Sequence, residues 1–203
     1  MQADLLHADN LPEQPVGLFY AWWRGDPLPN LQLPGGLTVQ VDPDVDLIQR
    51  ISGLKPTEIE ARFRLGNRAL AARIAGEPTG IGWSSAGEVA IGELGLRFDL
   101  PPGNRYLWDF VTLPEWRGRG IYPTLLQAFL TCESDAERFW VGHDLDNVAS
   151  ARGITKAGFR TTGAVYDIPG AGPVFVTRTG DLTERAGPAA KLLGIPLSLR
   201  PSI

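Results

Sequence analysis

Residues 113–123, Leu-Pro-Glu-Trp-Arg-Gly-Arg-Gly-Ile-Tyr-Pro, join two stretches of different periodicity. Upstream, Tyr106-Leu107-Trp108-Asp109-Phe110-Val111-Thr112 is rich in β-branched and aromatic residues and reads as a strand. Downstream, Thr124-Leu125-Leu126-Gln127-Ala128-Phe129-Leu130 has the clustered apolar spacing of a helix face. A chain that passes from strand through a glycine turn into a helix presents amides with no intrahelical acceptor. The helix dipole adds about half a positive charge at that place. The turn is therefore built to hold an anion such as a phosphate.

Two familiar phosphate loops do not fit. The segment Gly118-Arg119-Gly120-Ile121-Tyr122-Pro123 ends in proline where a dinucleotide fingerprint needs its third glycine, and no Gly-Lys-Ser/Thr is present for a Walker loop. Instead, residues 117–122 resemble the pyrophosphate loop of the GNAT acyltransferase superfamily, whose pattern is Arg or Gln, two residues, Gly, one residue, then Gly or Ala. Arg117 and Gly120 stand at the first two specified positions, and Tyr122 replaces the last small residue. A second signature follows. Trp140-Val141-Gly142-His143 reads as a short strand, then come Asn147-Val148-Ala149-Ser150 and Ile154-Thr155-Lys156-Ala157-Gly158-Phe159. This is similar to the superfamily's Asn at a strand end and its helix closing on Lys-x-Gly-Phe. Each residue also has a local role: Asn147 suits a helix N-cap, Lys156 the negative end of the helix, and Gly158 its left-handed stop.

The resemblance covers roughly residues 37–180 and implies an α/β (α+β) fold. In it a central mixed, mostly antiparallel sheet is flanked by helices, with its two middle strands splayed to admit acyl-CoA. Residues 1–36 form an N-terminal extension that adds a strand to the core, and 181–203 a C-terminal tail. Within this frame, residues 37–41 are the first strand of the main fold, and residues 46–51 and 56–65 its first two helices. Residues 68–74 and 79–83 form a hairpin turning at Glu77-Pro78. Residues 91–98 add extended structure, 164–168 and 174–178 supply two late strands, and 182–193 is a helix candidate before a proline-broken end. The aromatic run Phe19-Tyr20-Ala21-Trp22-Trp23 packs on a sheet edge or a neighbouring subunit, or roofs the acceptor pocket.

Composition is compatible with this. A chain of 203 residues with 43% hydrophobic content has material for one good core. The net charge of −4, without a basic stripe, argues against a nucleic-acid partner. Nothing reads as a membrane span or signal peptide. A cytoplasmic monomer or homodimer is expected. Cys132 is the one cysteine, read as a small core or flanking residue rather than a nucleophile.

The resemblance further implies acetyl-CoA (coenzyme A) as cofactor and a small-molecule or peptide amine as acceptor, with no metal. The amides of Gly118, Arg119, Gly120, Ile121 and Tyr122 would receive the diphosphate, with Arg117 and Arg119 either adding charge-assisted bonds or solvated. The backbone of Val111 and Thr112 would pair with the pantetheine arm, Asn147 would hydrogen-bond the same arm, and Ser150 and Arg152 lie one turn further, near the nucleotide phosphates. The superfamily's usual acid, a tyrosine on the second helix, corresponds here to Ile154, which has no proton to give. Tyr122, Tyr166 and His143 are the replacements, His143 because imidazole titrates near neutrality. Asp109, a carboxylate between Trp108 and Phe110, is the candidate base, its apolar neighbours favouring proton uptake; it could equally face solvent or pair with Arg105. Glu93 is a second carboxylate. The function expected is N-acyl transfer, most simply of acetyl, to a primary amine. A non-catalytic acyl-CoA-binding or sensing module is the alternative.

Overall fold

A computed structural model describes residues 11–178 and 184–200. The elements in chain order are β1 (Gly17–Trp23), β2 (Leu37–Val41), α1 (Val45–Ser52), α2 (Pro56–Arg64), β3 (Arg68–Ile74), β4 (Glu77–Ser85), β5 (Glu88–Ile91), β6 (Leu96–Asp99) and β7 (Asn104–Thr112). They continue with α3 (Ile121–Cys132), β8 (Arg138–Asp144), α4 (Val148–Lys156), β9 (Arg160–Ile168), β10 (Gly172–Arg178), α5 (Ala186–Leu193) and β11 (Leu197–Arg200). Nine strands make one sheet in the order β11-β10-β9-β1-β8-β7-β4-β3-β2, and β5 pairs with β6 apart from it. Among the described residues only β7 with β8 and β10 with β11 run parallel. The mixed, mostly antiparallel sheet flanked by helices is therefore the architecture expected. On one face Leu70, Leu107 and Val141 pack against α3 and α4 through Leu125, Phe129 and Ile154. The other face is covered by α1 and α2 over β3 and β4, and by α5 with the β5–β6 hairpin over the strands on the far side.

The N-terminal aromatic run lies inside the sheet, antiparallel to β8 on one side and β9 on the other. This corrects the expected edge placement. Four consecutive residues, Phe19 to Trp22, are at most 4% exposed, the pattern of an inner strand covered on both faces rather than an edge strand with one wet face. Immediately after β1, Arg24 donates to the carbonyls of Leu130, Glu133 and Ala136, at 2.9, 3.0 and 3.1 Å for its shortest bond to the first two and its Nε bond to the third. A guanidinium is thus laid on the negative end of α3, where the helix leaves its last carbonyls without partners.

Three local expectations change. The β3–β4 hairpin turns at Ala75-Gly76, both with positive φ (51° and 87°), as a tight two-residue hairpin requires. Pro78 instead lies within β4, opposite Arg73, at a register irregularity. Residues 91–98 are not one strand, because a 3-10 turn over Gly92–Leu94, ended by Gly95 at φ 60°, separates β5 from β6. At the C-terminus the helix expected over 182–193 is α5 from Ala186 to Leu193, preceded by a turn at residues 184 and 185, with residues 182 and 183 lying outside the described residues. The segment after it is a strand, β11, paired with β10.

Asp26 locks the two ends of the chain together. It accepts from Arg185 through both carboxylate oxygens at 2.6 Å, with the two side chains only 9% and 5% exposed, and from the Trp23 amide at 2.8 Å. Burial alone would raise the Asp26 carboxyl; the bonds from Arg185 and Trp23, with the charges of Arg185 and Arg160, outweigh it and hold its pKa below the ordinary value. A depressed folded-state pKa contributes stability above the unfolded-state value, lost as pH falls through the folded one. Arg185→Ala should therefore cost about 3 kcal/mol at pH 7, read from the denaturant midpoint, because it strands a buried carboxylate. The deficit should shrink below pH 4, once Asp26 is protonated in the unfolded chain.

Candidate functional site

β7 and β8 run parallel but pair only at Asn104–Arg138, Arg105–Phe139 and Tyr106–Trp140. Both strands continue, β7 to Thr112 and β8 to Asp144. Over that continuation each keeps its other neighbour: Val111 and Thr112 stay opposite Ile81 and Gly80, and Val141 to Asp144 stay opposite β1. One backbone edge of each strand is thus left without a strand partner. Helix α3 starts after β7 and α4 after β8, so two helix N-termini follow the same open end.

The start of α3 has the geometry an anion cradle needs. Gly118 and Gly120 take φ of 75° and 80°, a region in which a side chain would cost about 1–2 kcal/mol. Nothing lies within 4 Å of where a Cβ would stand on either. Among the described residues the amides of 118–122 donate to no backbone carbonyl, the first such bond being Thr124 N to Gly120 O at 3.2 Å. Pro123, in the first turn, has no N–H to orphan. Arg117 turns back so that its Nε donates to Thr112 O at 3.3 Å, and Arg119 stacks over Trp116 with its Cζ 4.8 Å from the ring centroid. Both side chains are exposed. Ile121 is buried in the core under the cradle.

On α4, Asn147 is the N-cap, its Oδ1 accepting from Ser150 N at 3.0 Å. Its Nδ2 has no partner among the described residues. Lys156 closes the helix and Gly158 follows at φ 100°, as the sequence implied. An open groove of about 460 Å³ along Ala151, Arg152, Thr155 and Lys156 continues beyond the cap. Tyr122 ties the two helices. A Cβ on Gly153 would stand 2.4 Å from Tyr122 Cδ1, so the phenol packs against the glycine of α4. Its other side meets Phe110 of β7 at 4.9 Å between centroids. Burial pushes the Tyr122 hydroxyl well above its ordinary pKa, partly offset by the neighbouring Ser150, so it stays protonated across the physiological range.

Asp109 sits in a β-bulge: Ile81 and Trp83, two apart on β4, face Val111 and Trp108, three apart on β7. Its φ is 49°, strained for a residue with a Cβ. Its carboxylate is bonded by Arg62 of α2 and remains 34% exposed, so it is not the carboxylate in apolar surroundings that the sequence suggested. Nor is its partner Arg105, which binds Glu133 and Asp135. Phe110, the next residue, packs against α3 on the opposite face. His143 bonds Asp144 O through Nδ1 at 2.7 Å and Tyr20 Oη through Nε2 at 3.0 Å. A carbonyl only accepts, so the proton is on Nδ1 and Tyr20 donates to Nε2 in the neutral ring. The imidazole has no free nitrogen and serves as a tie between β8 and β1. Tyr166 packs with Ile168, Val174 and Val176 on the outer strands. The side chain of Glu93 lies outside the described residues. Cys132 is exposed, and its neighbour Glu133 is the buried residue at the end of α3. Among the described residues no cluster of three or more His, Cys, Asp or Glu could hold a metal.

The family description "Acetyltransferase (GNAT) family" matches residues 51–159, more than half of the chain. The chain belongs to the GNAT acetyltransferase family. No curated protein matches it. Among solved structures it is similar to a GNAT-family acetyltransferase of Colwellia psychrerythraea, at 16% identity, TM-score 0.51, 75% of this chain and 55% of the other. It is also similar to a GCN5-related N-acetyltransferase of Kribbella flavida, at 18%, 0.50, 74% and 55%. A GNAT-family protein of Novosphingobium aromaticivorans matches at 16%, 0.50, 73% and 61%. At these identities the likeness is one of fold, and this GNAT chain spans between half and two thirds of the length of each.

Sequence reasoning missed Arg62, Tyr20 and Gly153. Arg62 and Tyr20 reach their partners across 47 and 123 residues, a distance no local pattern spans. Gly153 did leave a signal, since an isolated glycine inside a helix usually marks a close approach. Gly153→Ala should lower stability by about 1–2 kcal/mol, because overpacking against Tyr122 outweighs the ~1 kcal/mol helix preference of alanine. In a Tyr122→Ala background the same substitution should stabilise, and urea denaturation of the four proteins of the cycle reads the sign reversal.

Proposed function

We propose that this chain is an N-acyltransferase that takes an acetyl group from acetyl-CoA and places it on a primary amine. The observation that carries this is the open end of the β7–β8 pair with the unpartnered amides of 118–122 beside it. Those amides and the positive end of α3 suit a diphosphate. The edge of β7 at Val111–Thr112, where no strand pairs and only Arg117 reaches the Thr112 carbonyl, suits an extended amide chain, and Nδ2 of Asn147 is a donor with no acceptor among the described residues. Arg152 and Lys156, along the groove of α4, add positive charge further out. Acetyl-CoA would supply the acyl group already activated as a thioester.

The residues on either face of β7 then divide the proton chemistry. Asp109, on the α2 face, accepts a proton from the incoming ammonium. The amine nitrogen bonds to the thioester carbonyl carbon, the C–S bond breaks, and the remaining excess proton of the nitrogen ends on sulfur. Tyr122, on the α3 face and kept protonated by burial, donates a hydrogen bond to the departing sulfur. This places the acid on α3, in place of the side chain that Ile154 lacks. Ser150 orients the phenol. His143, with both nitrogens engaged, holds the strand instead. A small-molecule or peptide amine as acceptor, no nucleic acid, and a cytoplasmic location complete the reading. The exposed thiol of Cys132 suits a reducing compartment, and no described helix is long and apolar enough to cross a membrane.

Acetyl-CoA at 100 times its dissociation constant should stabilise the protein by about 2.7 kcal/mol in a thermal-shift titration. Absence of any shift at millimolar acetyl-CoA sinks the cofactor claim. Asp109→Asn should lower kcat by about 10²–10⁴-fold while leaving that shift intact; unchanged turnover removes Asp109 as the base.

A further inference from the structure

The surroundings of Asp109 contain more hydrogen-bond donors than acceptors. Arg62 comes from the last turn of α2, and its guanidinium carbon lies 4.4 Å from the Trp108 ring centroid and 4.9 Å from that of Trp83. It spends one nitrogen, Nη1, on Asp109 Oδ2, and among the described residues its Nε and Nη2 have no partner. The indole N–H groups of Trp83 and Trp108 are buried with no hydrogen-bond partner either, and Trp83 is entirely buried. Against these donors stands the Asp109 carboxylate, whose Oδ1 accepts no bond among the described residues. The pair is open to solvent, Arg62 at 18% and Asp109 at 34%.

A guanidinium lying over two neighbouring indoles with its fork half used is a receptor for a carboxylate, which it can take in two parallel bonds. A carboxylate with a free oxygen beside it is a receptor for an ammonium. A ligand carrying both groups on one carbon could enter between them without changing the charge of the site, exchanging one internal ion pair for two external ones. Resting on the acyltransferase reading, we propose that the acceptor is an α-amino acid, bound by its carboxylate to Arg62 and by its ammonium to Asp109. The ammonium then lies next to the bulge in β7, on the side of the strand opposite Tyr122. It gives its proton to Asp109, which later releases it to water, and the neutral nitrogen is left to attack.

Matched pairs of acceptors test this on the intact chain with saturating acetyl-CoA: tryptophan against tryptamine, histidine against histamine, phenylalanine against phenethylamine, within a panel of the twenty amino acids. Release of CoA thiol is the readout. The amino acid of at least one pair should exceed its decarboxylated partner in kcat/KM by about 100-fold or more, since a site built for a polar group strongly rejects the analogue lacking it. Arg62→Gln should erase that preference chiefly by raising KM for the amino acid, whereas Arg62→Lys should keep part of it. Equal or better use of the amines, or acetyl-CoA binding with no amino acid acetylated, overturns the proposal and leaves the acyltransferase reading standing. Failure to bind acetyl-CoA, or to release thiol with any acceptor, strikes the earlier reading instead. The comparison of acceptors uses the unaltered chain, so it holds even if an Arg62 variant fails to fold.

Discussion

Two parallel strands that stop pairing after three residues leave backbone donors and acceptors that something other than a sheet neighbour has to satisfy. The rest of the structure is arranged around that gap. β4 and β1 hold the far edges of β7 and β8, so the two strands can part without unravelling. The bulge at Asp109 turns β7 as it leaves the ladder, and bulges characteristically sit where a strand must bend or re-aim a side chain. Arg117 covers one of the exposed carbonyls, that of Thr112, from the glycine turn. The remaining unpaired edge lies beside two helix N-termini, which is a favourable place for a charged ligand with an extended amide tail.

The gap also requires that α3 and α4 stay where they are, and the contacts that hold them come from distant parts of the chain. Arg24, following the N-terminal strand, caps the C-terminal end of α3. Gln127 of α3 donates to Pro29 O at 2.8 Å, so the proline-rich connection between β1 and β2 runs across that helix. Tyr122 is wedged against Gly153 and Phe110. An N-terminal segment outside the matched family region 51–159 is therefore part of what keeps the candidate site in shape. Its internal position also removes two strand edges that β8 and β9 would otherwise present.

Much of the candidate site was legible because its signals are short-range. The glycine pair at 118 and 120 is demanded by positive φ, Asn147 by the cap it makes to Ser150, and Gly158 by the left-handed exit of α4. Each is a backbone requirement met within a few residues, and such requirements write themselves into sequence. The carboxylate of Asp109 stands out in the sequence as an oddity in an apolar strand, but its surroundings are set from elsewhere in the chain. Nothing near Asp109 in the chain announces that Arg62 will lie across Trp83 and Trp108 to meet it. His143 was likewise visible as a titratable group at a strand end, while Tyr20, which occupies its second nitrogen, was visible only as part of an aromatic run.

The sequence by itself determined the strand, glycine turn and helix at 106–130, the capped helix at 147–158, and through them the family. Those features depend on hydrogen bonds and dihedral preferences that act over a single turn. Only the tertiary structure decided that the N-terminal strand fills the seam between β8 and β9, that Asp109 faces a guanidinium rather than an apolar wall, and that Tyr122 occupies the space Gly153 leaves. These depend on which surfaces meet after the chain has closed long loops. Burial and charge pairing, unlike capping, are properties of the assembled sheet and not of any window of residues.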